Sequence, residues 1–437
     1  MPQGVLLFQY GIQKAPVGMT GLAGLPLYLD LARVMGVRRL IGDHVRAWHG
    51  EQGWTDDQMI MVLVLLNLAG GTSVEDIRVL EGDEGFCRVL REVEFSDRTR
   101  SECRALARRW RKKRTRTLPS VTALREYLEL FHNPEEEMLR KPHEAFIPAP
   151  SELLTPLVVF NGAFSAAMQR RSPRRTATLD MDATLVETFK KAALYCYKKF
   201  KAYQPLNVYW AGQGMMLFSE FRDGNVPASY DLLRPFQEAL ALVPAGVKQV
   251  YLRSDSAGYL VDLLKYCAEG KNERFGVIEF AVGADMTQEF KKAVSEVPQA
   301  AWHTLYREVN GKRVDTGQQY AEVCFVPNWM AAKKDGPSYR YVAIREALEQ
   351  PALSGMEDQL ALPFPTMDRG GVRYKVTGMV TNRELRGDEL IWWYRARSGK
   401  SEKSHSIMKE DLAGGSCRRS PLGLMQLGGR SWFLLST

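Results

Sequence analysis

Apolar residues follow two periods along this chain. From about residue 24 to 132 they recur at helical spacing: Leu27, Leu29, Leu31, Val34 and Met35 lead into Val37, and 59–68 is apolar nearly all round. Thr55-Asp56-Asp57-Gln58 predicts an N-cap ahead of that segment, with Gln58 able to close a capping box. Gly70-Gly71 behind it supplies a left-handed helix end, and Thr72-Ser73-Val74-Glu75 caps a further helix. Helical spacing resumes over 121–131 and 153–170, while the proline- and charge-rich 133–150 predicts a connector and a boundary near 150.

At Thr176 the period becomes two. Thr176-Ala177-Thr178-Leu179-Asp180-Met181-Asp182-Ala183-Thr184 predicts a strand, and further strands are predicted at 207–211, 214–220 and 249–255. Gly212-Gln213-Gly214 reads as a hairpin turn, and an apolar helix begins at Tyr259. Later strands are predicted over 320–326, 340–344 and 373–380, so the fold class is α/β behind an all-helical N-terminal part.

At 437 residues the chain is long enough for two to three domains. Hydrophobic residues at 45% and charged residues at 25% exclude a disordered chain, a collagen-like repeat or a small disulfide scaffold. The six cysteines form no C-x-x-C pair, no run of 18 apolar residues exists, and no signal peptide opens the chain. The expectation is a soluble, cytoplasmic protein without membrane contact.

Charge sharpens the picture. Lys plus Arg exceed Asp plus Glu by 59 to 51, and much of the surplus is concentrated. Arg98, Arg100, Arg104, Arg108, Arg109, Arg111, Lys112, Lys113, Arg114 and Arg116 oppose only Glu102, with Trp110 among them. That density suits several phosphate contacts, a solvated helix face being the alternative. Lys190, Lys191, Lys198, Lys199 and Lys201 form a second patch, either a DNA track or an ordinary exposed face.

Three acids carry the candidate chemistry. Strand alternation puts Asp180 and Asp182 on one face, about 7 Å apart. Asp255 stands where a strand meets a helix, at the sheet edge where α/β proteins place ligands. Glu402, His405 and Lys409 share one face of a helix predicted from Ser401; a salt-bridged surface helix is the alternative there, and His405 is set aside as a surface residue.

The order strand-Asp, strand-Asp, helix-Glu resembles the DDE insertion-sequence transposases. The resemblance rests on Leu179 to Thr184, on Arg253-Ser254-Asp255-Ser256-Ala257-Gly258-Tyr259, and on Tyr394, Arg397, Glu402 and Lys409. It spans about 55–415, including the N-terminal Gly70-Gly71 with Val74-Glu75-Asp76. Four residues separate Arg397 from Glu402, where the group's pattern has three, which loosens the assignment of Arg397.

The resemblance implies an RNase H-like mixed sheet flanked by helices, with a β-rich insertion over about 285–385. The domains are then 1–150 (helical, DNA-binding, with the basic arm), 151–415 (catalytic) and an aberrant tail, 416–437. Asp182, Asp255 and Glu402 are the implied catalytic acids and metal ligands, with Asp180 competing for the place of Asp182. Tyr394, Arg397 and Lys409 would contact the DNA backbone near the cut, alongside Arg108, Arg109, Arg111, Lys112 and Lys113 of the arm. Three carboxylates without a His/Cys cage suit Mg²⁺, with Mn²⁺ as a substitute. Trp302 and Trp329 are candidates for stacking on a displaced base, core packing being the commoner fate of a tryptophan.

The implied activity is cleavage of insertion-sequence end repeats and their joining to target DNA, by a dimer on double-stranded DNA. A structure-selective nuclease and an inactive transposase-derived DNA-binding protein are the alternatives. After Gly415 the resemblance stops: 416–437 lacks a helical period where the group continues with a helix rich in Ala, Asn and Trp. One back-translation of 423–429, shifted in frame, reads Ala-Asn-Ala-Ala-Trp-Trp. A frameshift near 416 that impairs activity is therefore expected.

Overall fold

The computed structural model describes residues 19–96, 98–141, 143–331, 339–348 and 365–397. Glu402, His405, Lys409 and the tail 416–437 lie outside these described residues.

The first part is helical, as its spacing predicts: α1 (Leu25–Met35), α2 (Val37–His44), α3 (Asp56–Leu68), α4 (Ile77–Gly82), α5 (Glu84–Ser96), α6 (Arg100–Arg108), α7 (Val121–Glu129) and α8 (Pro134–Met138). Thr55 and Gln58 form the expected capping box of α3, the Thr55 amide donating to Gln58 Oε1 at 2.9 Å. Gly70 takes φ +78° behind that helix, a conformation a side chain would strain. Ser73 caps a short turn that leads into α4.

α9 (Thr155–Arg171) joins this part to the sheet. α1 and α2 pack on it, the Arg171 guanidinium donates to the Val34 carbonyl, and one continuous apolar core runs from Leu25 to Val380. The helical part therefore shares its core with the sheet.

The strands are β1 (Thr176–Ala183), β2 (Val186–Glu187), β3 (Leu194–Tyr195), β4 (Lys201–Tyr203), β5 (Leu206–Trp210), β6 (Met215–Glu220), β7 (Gln249–Ser254), β8 (Glu279–Ala284), β9 (His303–Val309), β10 (Lys312–Val323), β11 (Arg340–Ala347), β12 (Thr366–Arg369) and β13 (Val372–Thr381). The large sheet begins β6-β5-β1-β7-β8, with β5 and β6 antiparallel and β1, β7 and β8 mutually parallel. This is an RNase H-like mixed sheet, and α9, α10 (Leu233–Leu242) and α11 (Val261–Ala268) flank it. Leu179, Trp210, Leu252 and Phe280 are fully buried in it, the leucines and the phenylalanine each worth about 1.5–3 kcal/mol on leaving water.

The segment expected as a β-rich insertion continues the same sheet. β13 pairs antiparallel with β8, and β11, β10 and β9 follow in order, with β12 beside β13. α12 (Gln288–Glu296) and α13 (Asn328–Ala331) lie in the connections, and α14 (Gly387–Arg395) follows β13. Among the described residues no helix is long and apolar enough to cross a membrane.

Candidate active site

β1 and β7 run parallel in a register that pairs Asp180 with Arg253 and Met181 with Ser254. One step further along each strand stand Asp182 and Asp255. Alternation turns Asp180 and Asp182 to one face, but depth separates their surroundings. Asp180 is 1% exposed and takes a two-pronged grip from Arg253, Nε to Oδ1 at 2.6 Å and Nη2 to Oδ2 at 2.8 Å. Asp182 lies nearer the strand end with its side chain 18% exposed, and Arg397 Nη1 is 3.4 Å from its Oδ2.

Asp255 ends its strand as the cap of the turn 256–258, Oδ1 accepting from the Ala257 amide at 3.1 Å. Two glycines let the backbone close up around it. A Cβ on Gly258 would lie 2.6 Å from the Ser254 side chain. A Cβ on Gly283 of β8 would come within 2.9 Å of the Ser256 nitrogen and 3.2 Å of the Tyr394 hydroxyl. The bare backbone of β8 is thus where Tyr394 reaches the Asp255 turn.

α14 carries Tyr394, and Arg397 follows just beyond its end. Arg253 Nη1 donates to the Trp393 carbonyl, and the Arg383 guanidinium lies 4.3 and 4.2 Å from the ring centres of Tyr251 and Trp393, which meet edge-on. A chain of contacts from Asp180 through Arg253 to Trp393 therefore fixes the helix end against the sheet. Burial raises the Tyr394 hydroxyl above its ordinary pKa, against the opposing pull of Arg397. Burial opposes charge on Arg397, yet Tyr394 and the carboxylates of Asp182, Asp255 and Asp180 outweigh it and raise its pKa. Arg397 Nε is buried with no hydrogen-bond partner among the described residues.

Asp255 also lines a cleft of about 980 Å³, whose walls include Thr184, Tyr197, Lys198, Tyr259 and Asp285. Asp285, just past β8, is a carboxylate that sequence reasoning passed over, and burial raises its pKa. No group of three or more acidic, His or Cys side chains is placed to hold a metal among the described residues, which do not include Glu402. What the structure brings together is Asp182, Asp255, Tyr394 and Arg397.

The basic arm divides. Arg108, Arg111, Lys112 and Lys113 are exposed. Arg109 instead donates to backbone carbonyls, Nε to Gly53 at 2.8 Å and Nη2 to Gly50 at 2.7 Å. Arg114 lies over the Trp54 ring at 4.4 Å and pairs with buried Glu94 at 2.8 Å, and Arg98 pairs with Asp57 at 2.9 Å. These three hold the helical part together. Trp302 is buried with the Arg345 guanidinium 4.0 Å from its ring centre, and Trp329 packs edge-on against Tyr339. Trp302 belongs to the core, and Trp329 is partly buried against it.

No curated protein matches this chain. A solved structure of the piggyBac transposase synaptic complex with hairpin DNA is similar at 13% identity and a TM-score of 0.40, over 98% of this chain and 76% of that one. Residues 17–334 match the family described as transposase DDE domain group 1, and the chain belongs to that family.

Proposed function

We propose that the chain cuts insertion-sequence ends by metal-dependent phosphodiester chemistry and joins them to target DNA, with Asp182, Asp255 and Glu402 as its acids. The observation that carries this reading is that Asp182 and Asp255 each follow the last register pair of two parallel strands, Met181 with Ser254, and both act on Arg397, with Tyr394 beside them. The donor set fits a hard cation: both groups are carboxylates, hard oxygen donors without a His or Cys among them.

Asp182 and Asp255 would hold Mg²⁺, or Mn²⁺ in its place, with Glu402 completing the set. When bound, the metal supplies activation of the attacking oxygen and stabilisation of the leaving oxygen. The chain's own residues do the rest. Arg397 offers planar donors to a phosphate near the cut. Tyr394 braces the Asp255 turn across Gly283. Lys409 is the proposed further backbone contact, and Arg108, Arg111, Lys112 and Lys113 supply salt-dependent affinity for double-stranded DNA held by a dimer.

The test is incubation of the purified chain with DNA carrying the flanking genomic ends, with and without Mg²⁺. Cut ends and joined products that vanish in Asp255→Ala support the reading. Cutting without joining, even when a 3′-OH donor end is supplied, makes it a nuclease. Binding without cutting makes it a DNA-binding derivative.

A further inference from the structure

Between β1 and β5 the chain leaves the large sheet and folds β2, β3 and β4 into a small sheet of its own, ordered β2-β4-β3. It exposes three aromatic rings: Phe189 is 93% exposed, Tyr197 73% and Tyr195 64%. Soluble surfaces rarely spend so many large rings in one short segment without a partner. Lysines stand among them: Lys198 Nζ lies 5.7 Å from the Tyr197 ring centre and Lys201 Nζ 5.9 Å from that of Tyr195. Lys191 and Lys199 are exposed beside them.

This surface is rigidly mounted. Its inner side packs Ala193 and Tyr203 against Phe221, with the two rings 4.7 Å apart. Arg140 grips both oxygens of buried Asp223 and also donates to the Ala192 carbonyl. Gly224 lets β4 approach so closely that a Cβ there would lie 2.4 Å from the Ala202 oxygen. At the tip, Lys199 adopts φ +66° in a tight turn whose amide donates to Cys196. That turn points function at the active site, because Tyr197 and Lys198 line the same cleft as Asp255.

We propose that this small sheet is a stacking platform for unpaired bases of a DNA strand lying along the cleft. The proposal rests on the DNA-cutting reading above. Exposed rings interleaved with cations match a polyanion that carries π-faces. In a duplex those faces are already stacked on one another, so only a separated strand can use them. A staggered cut that leaves an overhang, or a frayed end, presents such a strand.

Fluorescence anisotropy of the full-length chain, without divalent metal, compares a labelled oligo(dT) strand with a labelled duplex of equal length. Tyr197→Ala should weaken single-strand binding roughly 5- to 150-fold, the span of one base–ring stack, with duplex affinity nearly unchanged. Tyr197→Phe, which keeps the ring, should restore it. The triple variant Phe189→Ala, Tyr195→Ala, Tyr197→Ala should weaken it further. Unchanged single-strand affinity in the triple variant, with wild-type duplex binding, overturns the platform and spares the transposase reading. Equal losses on both DNAs reduce the surface to a general attractor of phosphates and also overturn it. A wild-type chain that binds neither DNA sinks both readings.

Discussion

Asp180 and Asp182 are two residues apart on one strand, yet replacing each with alanine should damage different properties. Asp180→Ala removes two charge-assisted hydrogen bonds, at 2.6 and 2.8 Å, and leaves Arg253, whose side chain is 3% exposed, without the carboxylate that neutralises it. Stranding one partner of a buried ion pair costs about 3–5 kcal/mol. It also loosens the Arg253 hydrogen bond to Trp393, and with it the seat of Tyr394 and Arg397. Asp182→Ala removes a carboxylate 3.4 Å from Arg397 at a side chain 18% exposed, a longer and less buried contact than the Asp180–Arg253 pair, so it should destabilise less. Guanidinium unfolding followed by circular dichroism should therefore show a lower midpoint for Asp180→Ala than for Asp182→Ala. Cleavage of end DNA should vanish in Asp182→Ala while the protein stays folded. A double variant Asp180→Leu, Arg253→Met should recover much of the lost stability, because it removes the unpaired charge along with its partner. A stable Asp180→Ala protein that cannot cut, beside an Asp182→Ala protein that can, would reverse the assignment of the two acids.

Gly283→Ala should abolish cleavage and lower stability by about 1–3 kcal/mol, since its methyl would press on the Ser256 backbone and the Tyr394 hydroxyl; full activity in that variant would show that the Tyr394 seat does not matter. Changing Arg108, Arg111, Lys112 and Lys113 together to Gln should flatten the salt dependence of DNA binding, by up to about 0.9 in slope for each phosphate that is no longer neutralised; an unchanged slope would make the arm a solvated face. Arg109→Ala should instead lower the thermal midpoint, because its partners are the carbonyls of Gly50 and Gly53; a drop in salt slope alone would contradict that role. Asp56 tests pH. Burial raises its pKa despite hydrogen bonds from Tyr127 and Trp48, so its contribution to stability is present below the ordinary carboxylate value and lost as pH rises through the raised one. Asp56→Asn should flatten unfolding midpoints across that window, and an unaltered pH profile would remove Asp56 as the cause.

Why some of this was legible and some not follows from the kind of signal each residue carries. The capping box at Thr55 and Gln58, the turn at Gly212 to Gly214 and the β1 alternation are local, set by residues within one turn or strand, and they stand in the structure as read. β8 and β9 escaped notice for the opposite reason. β8 is buried on both faces as Phe280 to Ala284, so no alternation marks it, and β9 pairs with β10 through mostly exposed positions. Nor did local pattern tell phosphate-facing arginines from structural ones. Arg109 and Arg114 find their partners at Gly53 and Glu94, and such pairings arise only from tertiary packing. The Asp180–Arg253 pair was within reach. Asp-x-Asp on β1 and Arg-x-Asp on β7 share one spacing, and parallel pairing that aligns the second acids also sets Arg253 against Asp180. Two carboxylates that look interchangeable in sequence are thus separated by their surroundings: a cation neutralises the inner one, and the outer one shares Arg397 with Asp255. Two acids around one point repel each other unless a cation joins them. In the structure Arg397 approaches that pair, which is why its protonated state is favoured there despite burial.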